Sequence, residues 1–161
     1  DFKMIPITKP SIDNNDLKGS VLSKVLDLSA SAEKTSVQSE AYYLLAELKD
    51  KRHESAFEKG IQSKSYRVNA AALDAMLSVN ETRALEIATS WENIDNYDVI
   101  DAVGSTYNTN GDVSKKEYFE NLATNSDDAY TKYYTIYHYS MFLGRMEDKT
   151  VLEILTLSDI P

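Results

Sequence analysis

Between Ser65 and Trp91 the chain reads SYRVNAAALDAMLSVNETRALEIATSW, and the apolar positions of this stretch leave few folds open. Val68, Ala71, Ala72, Ala75, Met76 and Val79 fall at i, i+3, i+4, i+7, i+8 and i+11, and Ala70, Leu73 and Leu77 form a second stripe beside them. A helix with so wide an apolar arc must be covered on more than one side. Its partner begins near Glu81 and presents Ala84, Ile87, Ala88 and Trp91 on one face, widened by Leu85. The three-residue connection Ser78-Val79-Asn80 then forces the two helices antiparallel, and the alanines let them approach closely.

The rest of the chain reads as imperfect copies of this hairpin. Residues 1–14, with Pro6 and Pro10, predict an extended lead-in or linker. From about Asn15 a helical pattern carries Leu17, Val21, Leu22, Val25 and Leu28, and it ends in the polar run Ser29 to Lys34. Thr35 and Gln38 have the spacing of a capping box ahead of Val37, Ala41, Leu44, Leu45 and Leu48. A short helix from about Arg52 places His53, Ala56, Phe57, Gly60 and Ile61 together and breaks at Ser63-Lys64-Ser65.

Beyond Trp91, Asp95 or Asn96 caps a helix with Val99, Ile100, Val103 and Tyr107 that ends at Asn110-Gly111. Ser114 and Glu117 form a second capping box before Tyr118, Phe119 and Leu122; Ser126, followed by Asp127 and Asp128, starts a longer helix reaching Gly144. A last helix is expected from about Glu147 through Val151, Leu152, Ile154 and Leu155. Ala41, Leu44, Ala46 and Leu48 recur as Ala70, Leu73, Ala75 and Leu77 at a constant offset of 29 residues. Hairpins at such a period predict an all-α fold of about nine helices over residues 15–161, stacked as a right-handed α-α superhelix of the HEAT or armadillo kind. The signature residues of the tetratricopeptide class are not apparent, so HEAT-like is the better description.

Charge and composition narrow the function. A formal net charge of -9, with the cations scattered among carboxylates, argues against nucleic acid and against an anionic membrane surface. No apolar run approaches the roughly 18 residues of a spanning helix, and DFKMIPITKP has no signal-like apolar core. With no cysteine there is neither a disulfide nor a thiolate metal site, and both cytosol and periplasm stay open for a soluble chain. A start at Asp1 and an end at Pro161 fit a processed chain or a piece of something longer.

Three stretches invite chemical readings. His53-Glu54 has the start of HExxH, but Phe57 stands where the second zinc ligand belongs, and a partly buried histidine at the edge of an apolar face explains the residue. Thr106 to Glu117 lies on the EF-hand pattern with Gly111 at the turn and Asn108, Asn110, Val113, Ser114 and Glu117 at acceptable positions, yet the first ligand is Thr106 rather than aspartate. Helix-end signals account for the same residues, so calcium binding at 106–117 is a distant alternative. The third is the aromatic segment with Tyr130, Tyr133, Tyr134, Tyr137, Tyr139 and Phe142. Tyr130, Tyr134, Tyr137 and Met141 form one stripe, which suits either inter-helix packing or a docking surface, with Tyr130, Tyr133 and Tyr137 the candidate contact residues. No nucleophile and base pair and no phosphate-cradling glycine loop is present, so no catalytic residue is nominated.

The succession SYRVNAAALDAMLSVNETRALEIATSW followed by DVIDAVGSTYNTNGDVSKKEYFENLA resembles the C-terminal HEAT-like helical domain of zinc aminopeptidases of the aminopeptidase N type, over roughly Thr35 to Leu157. The resemblance rests on a small-residue helix, an ALE-containing helix, and a Gly-Asp turn before an aromatic-bearing helix. It implies a non-catalytic domain, without cofactor of its own, that packs on an upstream catalytic domain holding the zinc and limits the access of peptide substrates. A free-standing scaffold whose solenoid face binds another protein is the alternative. Either way the Ser65–Trp91 hairpin lies mid-stack. Ala71→Glu or Ala75→Glu should therefore abolish cooperative unfolding by burying an unpaired charge; a thermal melt of either variant that overlays the parent curve would overturn that placement.

Overall fold

The computed structural model describes residues 15–146. Among them lie eight α-helices and no strand: α1 (Asn15–Ser31), α2 (Thr35–Glu47), α3 (Glu54–Ile61), α4 (Tyr66–Leu77), α5 (Glu81–Ser90), α6 (Tyr97–Asn110), α7 (Lys116–Asn125) and α8 (Ala129–Arg145). Short 3-10 turns at Lys51–His53 and Val113–Lys115 lead into α3 and α7. The expected lead-in over 1–14 and the ninth helix from about Glu147 lie outside the described residues.

Helices α2, α4, α6 and α8 adjoin one another in that order, and each odd-numbered helix packs on the even-numbered one that follows it. Two layers result. At the centre is α4, which touches α2, α3, α5 and α6. Its Ala71, Ala72, Leu73, Ala75 and Met76 have no exposed surface, as the double apolar stripe requires. Asn69, also buried, donates from Nδ2 to the carbonyl oxygens of Gly60, Ile61 and Ser63 at 3.0, 2.8 and 3.0 Å. It thereby satisfies the carbonyls orphaned where α3 ends. The far end of the core is aromatic: Phe119 of α7 has Tyr118, Tyr139 and Phe142 within 5.5 Å and Tyr107 at 6.4 Å, centroid to centroid. At its C-terminal end α8 is fastened to α6 by Arg145, which donates to the carbonyl oxygens of Tyr107, Asn108 and Gly111.

Two glycines set helix spacing. A Cβ on Gly60 of α3 would lie 2.6 Å from both the Ala72 Cβ and the Tyr42 ring, and one on Gly104 of α6 would meet the His138 ring at 2.8 Å. Neither has room for a methyl group.

Several local expectations need correction. Neither capping box forms. Lys34 is the N-cap of α2 and gives it no side-chain capping bond, Thr35 is already helical, and Gln38 instead donates to the Ala32 carbonyl at 2.9 Å. At the second box the carboxylate of Asp112 takes the cap, accepting from the backbone N–H and hydroxyl of Ser114 at 2.9 and 2.5 Å. A charged acceptor placed earlier in the chain captures the amide first, and the 3-10 turn follows. Asp128, not Ser126, caps α8 by accepting from Thr131 N–H at 2.6 Å. The face of α2 is also turned from the expected one. Tyr42 is buried against Phe57, with its hydroxyl on the Ala56 carbonyl at 3.3 Å, while Leu44 and Leu48 are 45% and 47% exposed. Leu44 aligns with the fully buried Leu73, but among the described residues α4 lies between α2 and α6, whereas α2 has only α4 beside it in that row.

Gly60→Ala should destabilise the protein by about 1–3 kcal/mol, because the clash with Ala72 and Tyr42 outweighs the helix propensity gained. Chemical denaturation checks this; a gain in stability would mean that α3 can move away from α4 at little cost.

Candidate functional site

Alternation along α8 sorts its aromatic residues. Tyr139, Phe142 and Leu143 point into the core, whereas Tyr130, Tyr133 and Tyr137 are 73%, 59% and 50% exposed, and Met141 is exposed one turn further on. The three nominated tyrosines therefore stand on open surface. Their neighbours are also aromatic: Tyr133 meets Tyr134 edge-on at 5.2 Å, Tyr134 meets Tyr97 of α6 at 5.2 Å, and Tyr137 meets His138 at 5.3 Å.

Beside this ridge is an acidic region that the sequence reading did not single out. Nε2 of His138 lies 2.8 Å from Oδ1 of Asp101, fixing α8 against α6 at the Gly104 contact. Asp74 of α4 is half-buried. Its carboxyl makes no hydrogen bond or ion pair among the described residues. Loss of solvation and then the charge of Asp101 push its pKa up to about 7. Tyr43 of α2 is pushed up to about 12 by desolvation and by Asp74, Asp101, Glu40 and Asp98, so four carboxylates act on one phenol. The signal was present in the sequence as a lone Asp within the apolar run of α4. What joins it to Asp98 and Asp101 is helix packing, which spacing along the chain does not reveal.

The other candidates have local explanations. His53 is buried at the start of α3; its Nε2 has no hydrogen-bond partner among the described residues, and Asp50 Oδ2 lies 4.0 Å away. Asp50 is held by Arg52, whose hydrogen bonds draw its carboxyl down to about 2. Over 106–117, the first five positions belong to the last turns of α6, and Thr106 is fully buried with its hydroxyl on the Ala102 carbonyl at 2.8 Å. Among the described residues no group of three or more His, Asp or Glu is placed to hold a metal ion, and no helix is long and apolar enough to cross a membrane. An open cleft of about 500 Å³ lies between α7 and the 91–96 connection, lined by Glu92, Asn93, Lys115, Tyr118 and Asn121. Its back wall is a network in which Glu92 accepts from the Tyr107 hydroxyl at 2.5 Å and from Lys115 at 2.9 Å.

Compared with known proteins, the chain matches no family model and no curated sequence.

The state of Asp74 makes stability depend on pH. Its folded pKa of about 7 lies above the ordinary 3.8, so below 3.8 the group is protonated folded or unfolded and costs nothing. The cost grows as pH rises through that window and is complete above about 7. Asp74→Asn should therefore raise stability at pH 8 by about 1–2 kcal/mol and leave it unchanged near pH 3.5. Denaturant titrations at the two pH values provide the check.

Proposed function

We propose that this chain is a non-catalytic helical-repeat domain that works by docking, its layers α1, α3, α5, α7 and α2, α4, α6, α8 forming successive hairpins of a right-handed HEAT-like α-α superhelix. The observation that carries this reading is the exposure of Tyr130, Tyr133 and Tyr137 on one side of α8. Large aromatic rings left in water beside a fully packed core are favoured where a partner covers them, because tyrosine gives much contact area for little conformational entropy. The ordered contacts of α2, α4, α6 and α8 add a continuous surface to that ridge.

In its specific form the proposal follows the resemblance over α2 to α8: the chain is the C-terminal domain of a larger zinc aminopeptidase. It covers a catalytic domain that holds the zinc and restricts which peptides enter. A free-standing protein-binding scaffold is the second reading, favoured by a ridge open enough to serve a separate partner. Both readings assign the fragment no chemistry of its own.

An amino-acid arylamide assay with added zinc tests the shared claim. No turnover above background is expected, and zinc-dependent hydrolysis by purified chain would overturn it. An HExxH segment encoded upstream in the same reading frame would favour the aminopeptidase, and a frame beginning near Asp1 the scaffold. The triple variant Tyr130→Ser, Tyr133→Ser, Tyr137→Ser should melt within about 2 °C of the parent, as surface substitutions do; a large drop would show these rings to be structural.

A further inference from the structure

The acidic region and the tyrosines beside it belong to one face. Asp74 lies on α4, Tyr97, Asp98 and Asp101 on α6, Tyr43 on α2 and Tyr134 on α8, helices that adjoin in the order α2, α4, α6, α8. Asp101 gives one carboxylate oxygen to His138. Asp74, half-buried on α4, makes no hydrogen bond or ion pair among the described residues. A carboxylate desolvated without a counter-charge costs stability, and such a cost is characteristic of a position whose partner arrives from outside.

Charge decides what that partner is. Phosphates, carboxylates and a second copy of this acidic face are repelled. A bound metal ion would need several ligands converging on one point, which the described residues do not offer. Lysine and arginine side chains satisfy both components of the surface at once, pairing with the carboxylates and stacking over tyrosine rings. On α4 itself Arg67 is two turns from Asp74, about 10 Å along the axis, and among the described residues no cation pairs with Asp74. Helix axes spaced about 8–10 Å apart make the face across four helices about 25–30 Å wide. An extended chain covers that distance with about eight or nine residues.

We propose that the open side of α2, α4, α6 and α8 is a docking face for an extended peptide segment bearing lysine or arginine, seated by Asp74, Asp98 and Asp101 and flanked by the rings of Tyr43, Tyr97 and Tyr134. This deepens the docking reading given above and rests on it, since it names the chemistry of the partner.

Fluorescence anisotropy with a fluorescein-labelled nonapeptide alternating Gly with Lys and Arg tests the assignment, beside a counterpart in which Glu replaces the basic residues. Titrated with the full chain at low salt, the basic peptide should bind saturably and the acidic one should not. Asp74→Asn with Asp98→Asn should weaken binding about tenfold or more, as loss of close charge pairs does. The control pair Glu33→Gln with Glu81→Gln makes the same change in net charge at exposed, unpartnered positions off this face, and should change affinity less than roughly twofold. Circular dichroism confirms that each variant is folded. No saturable binding overturns the proposal. So does equal weakening by the two double variants, the signature of bulk charge attraction, or a concentration-dependent dimer in sedimentation that Asp74→Asn with Asp98→Asn abolishes. Failure on any of these counts leaves the tyrosine ridge of α8 standing, whereas zinc-dependent turnover in the arylamide assay would remove the docking reading itself.

Discussion

Close approach of helices to α4 is the constraint on which the remaining architecture depends. Ala70, Ala71, Ala72 and Ala75 remove side-chain bulk from most of its circumference, so four neighbouring helices can press against it. Volume missing on α4 is supplied from outside by Tyr42 and Phe57 on one flank and by Val99 and Val103 of α6 on another. Small residues facing large ones give dense packing without strained rotamers. The glycine at position 60 extends the same logic to α3, whose backbone lies against Ala72 with no gap for one more carbon.

The opposite end of the molecule is organised differently. Around Phe119, rings pack on rings: Tyr139 stacks nearly parallel to it, with 14° between the planes, and Tyr107 and Tyr118 meet it edge-on. Two hydroxyls at the rim of this cluster are paired, Tyr107 with Glu92 and Tyr139 with Glu120 at 3.1 Å. With its inward side filled in this way, α8 has Tyr130, Tyr133 and Tyr137 left over, and they stand in solvent. The contrast between these paired phenols and the partnerless Asp74 marks where the fold is complete and where it is not.

Much of the helical framework was legible in the sequence because amphipathic spacing is local. The break Ser78-Val79-Asn80 and the stop at Asn110 stand where the pattern puts them, and of the two candidate caps, Asp95 and Asn96, the helix uses Asn96. Caps with two competing donors or acceptors were less legible: at 112–117 the decision between Asp112 and Ser114 depends on acceptor strength, which a spacing rule ignores. The rotation of α2 was not legible at all. Leu44 and Tyr42 both carry large apolar surface, and which of them faces water is decided by where α1, α3 and α4 pack on α2. The acidic face belongs to the same class, since Asp74 and Asp101 meet through the packing of α4 on α6. On α8 the three residues named as candidate contacts, Tyr130, Tyr133 and Tyr137, are exposed, whereas Tyr134, drawn into the same stripe by spacing alone, is half-buried against Tyr97, because rings cover almost the whole circumference of that helix.

The connections between helices have unequal freedom. Asn69 holds the α3–α4 turn through three carbonyls, and Asn80 caps α5 while donating to Glu54 of α3 at 2.6 Å. Between α5 and α6, Glu92 is pinned by Tyr107 and Lys115. The turn into α8 is different, because the side chains of Ser126 and Asp128 bond locally, to the backbone N–H groups of Asp128 and Thr131, and tie it to no other helix. A chain built this way can vary in length most easily between α7 and α8. Insertions there would shift the height of the tyrosine ridge relative to the rest of the molecule while leaving the alanine-centred half untouched, so the reach of that surface could diversify independently of the fold that carries it.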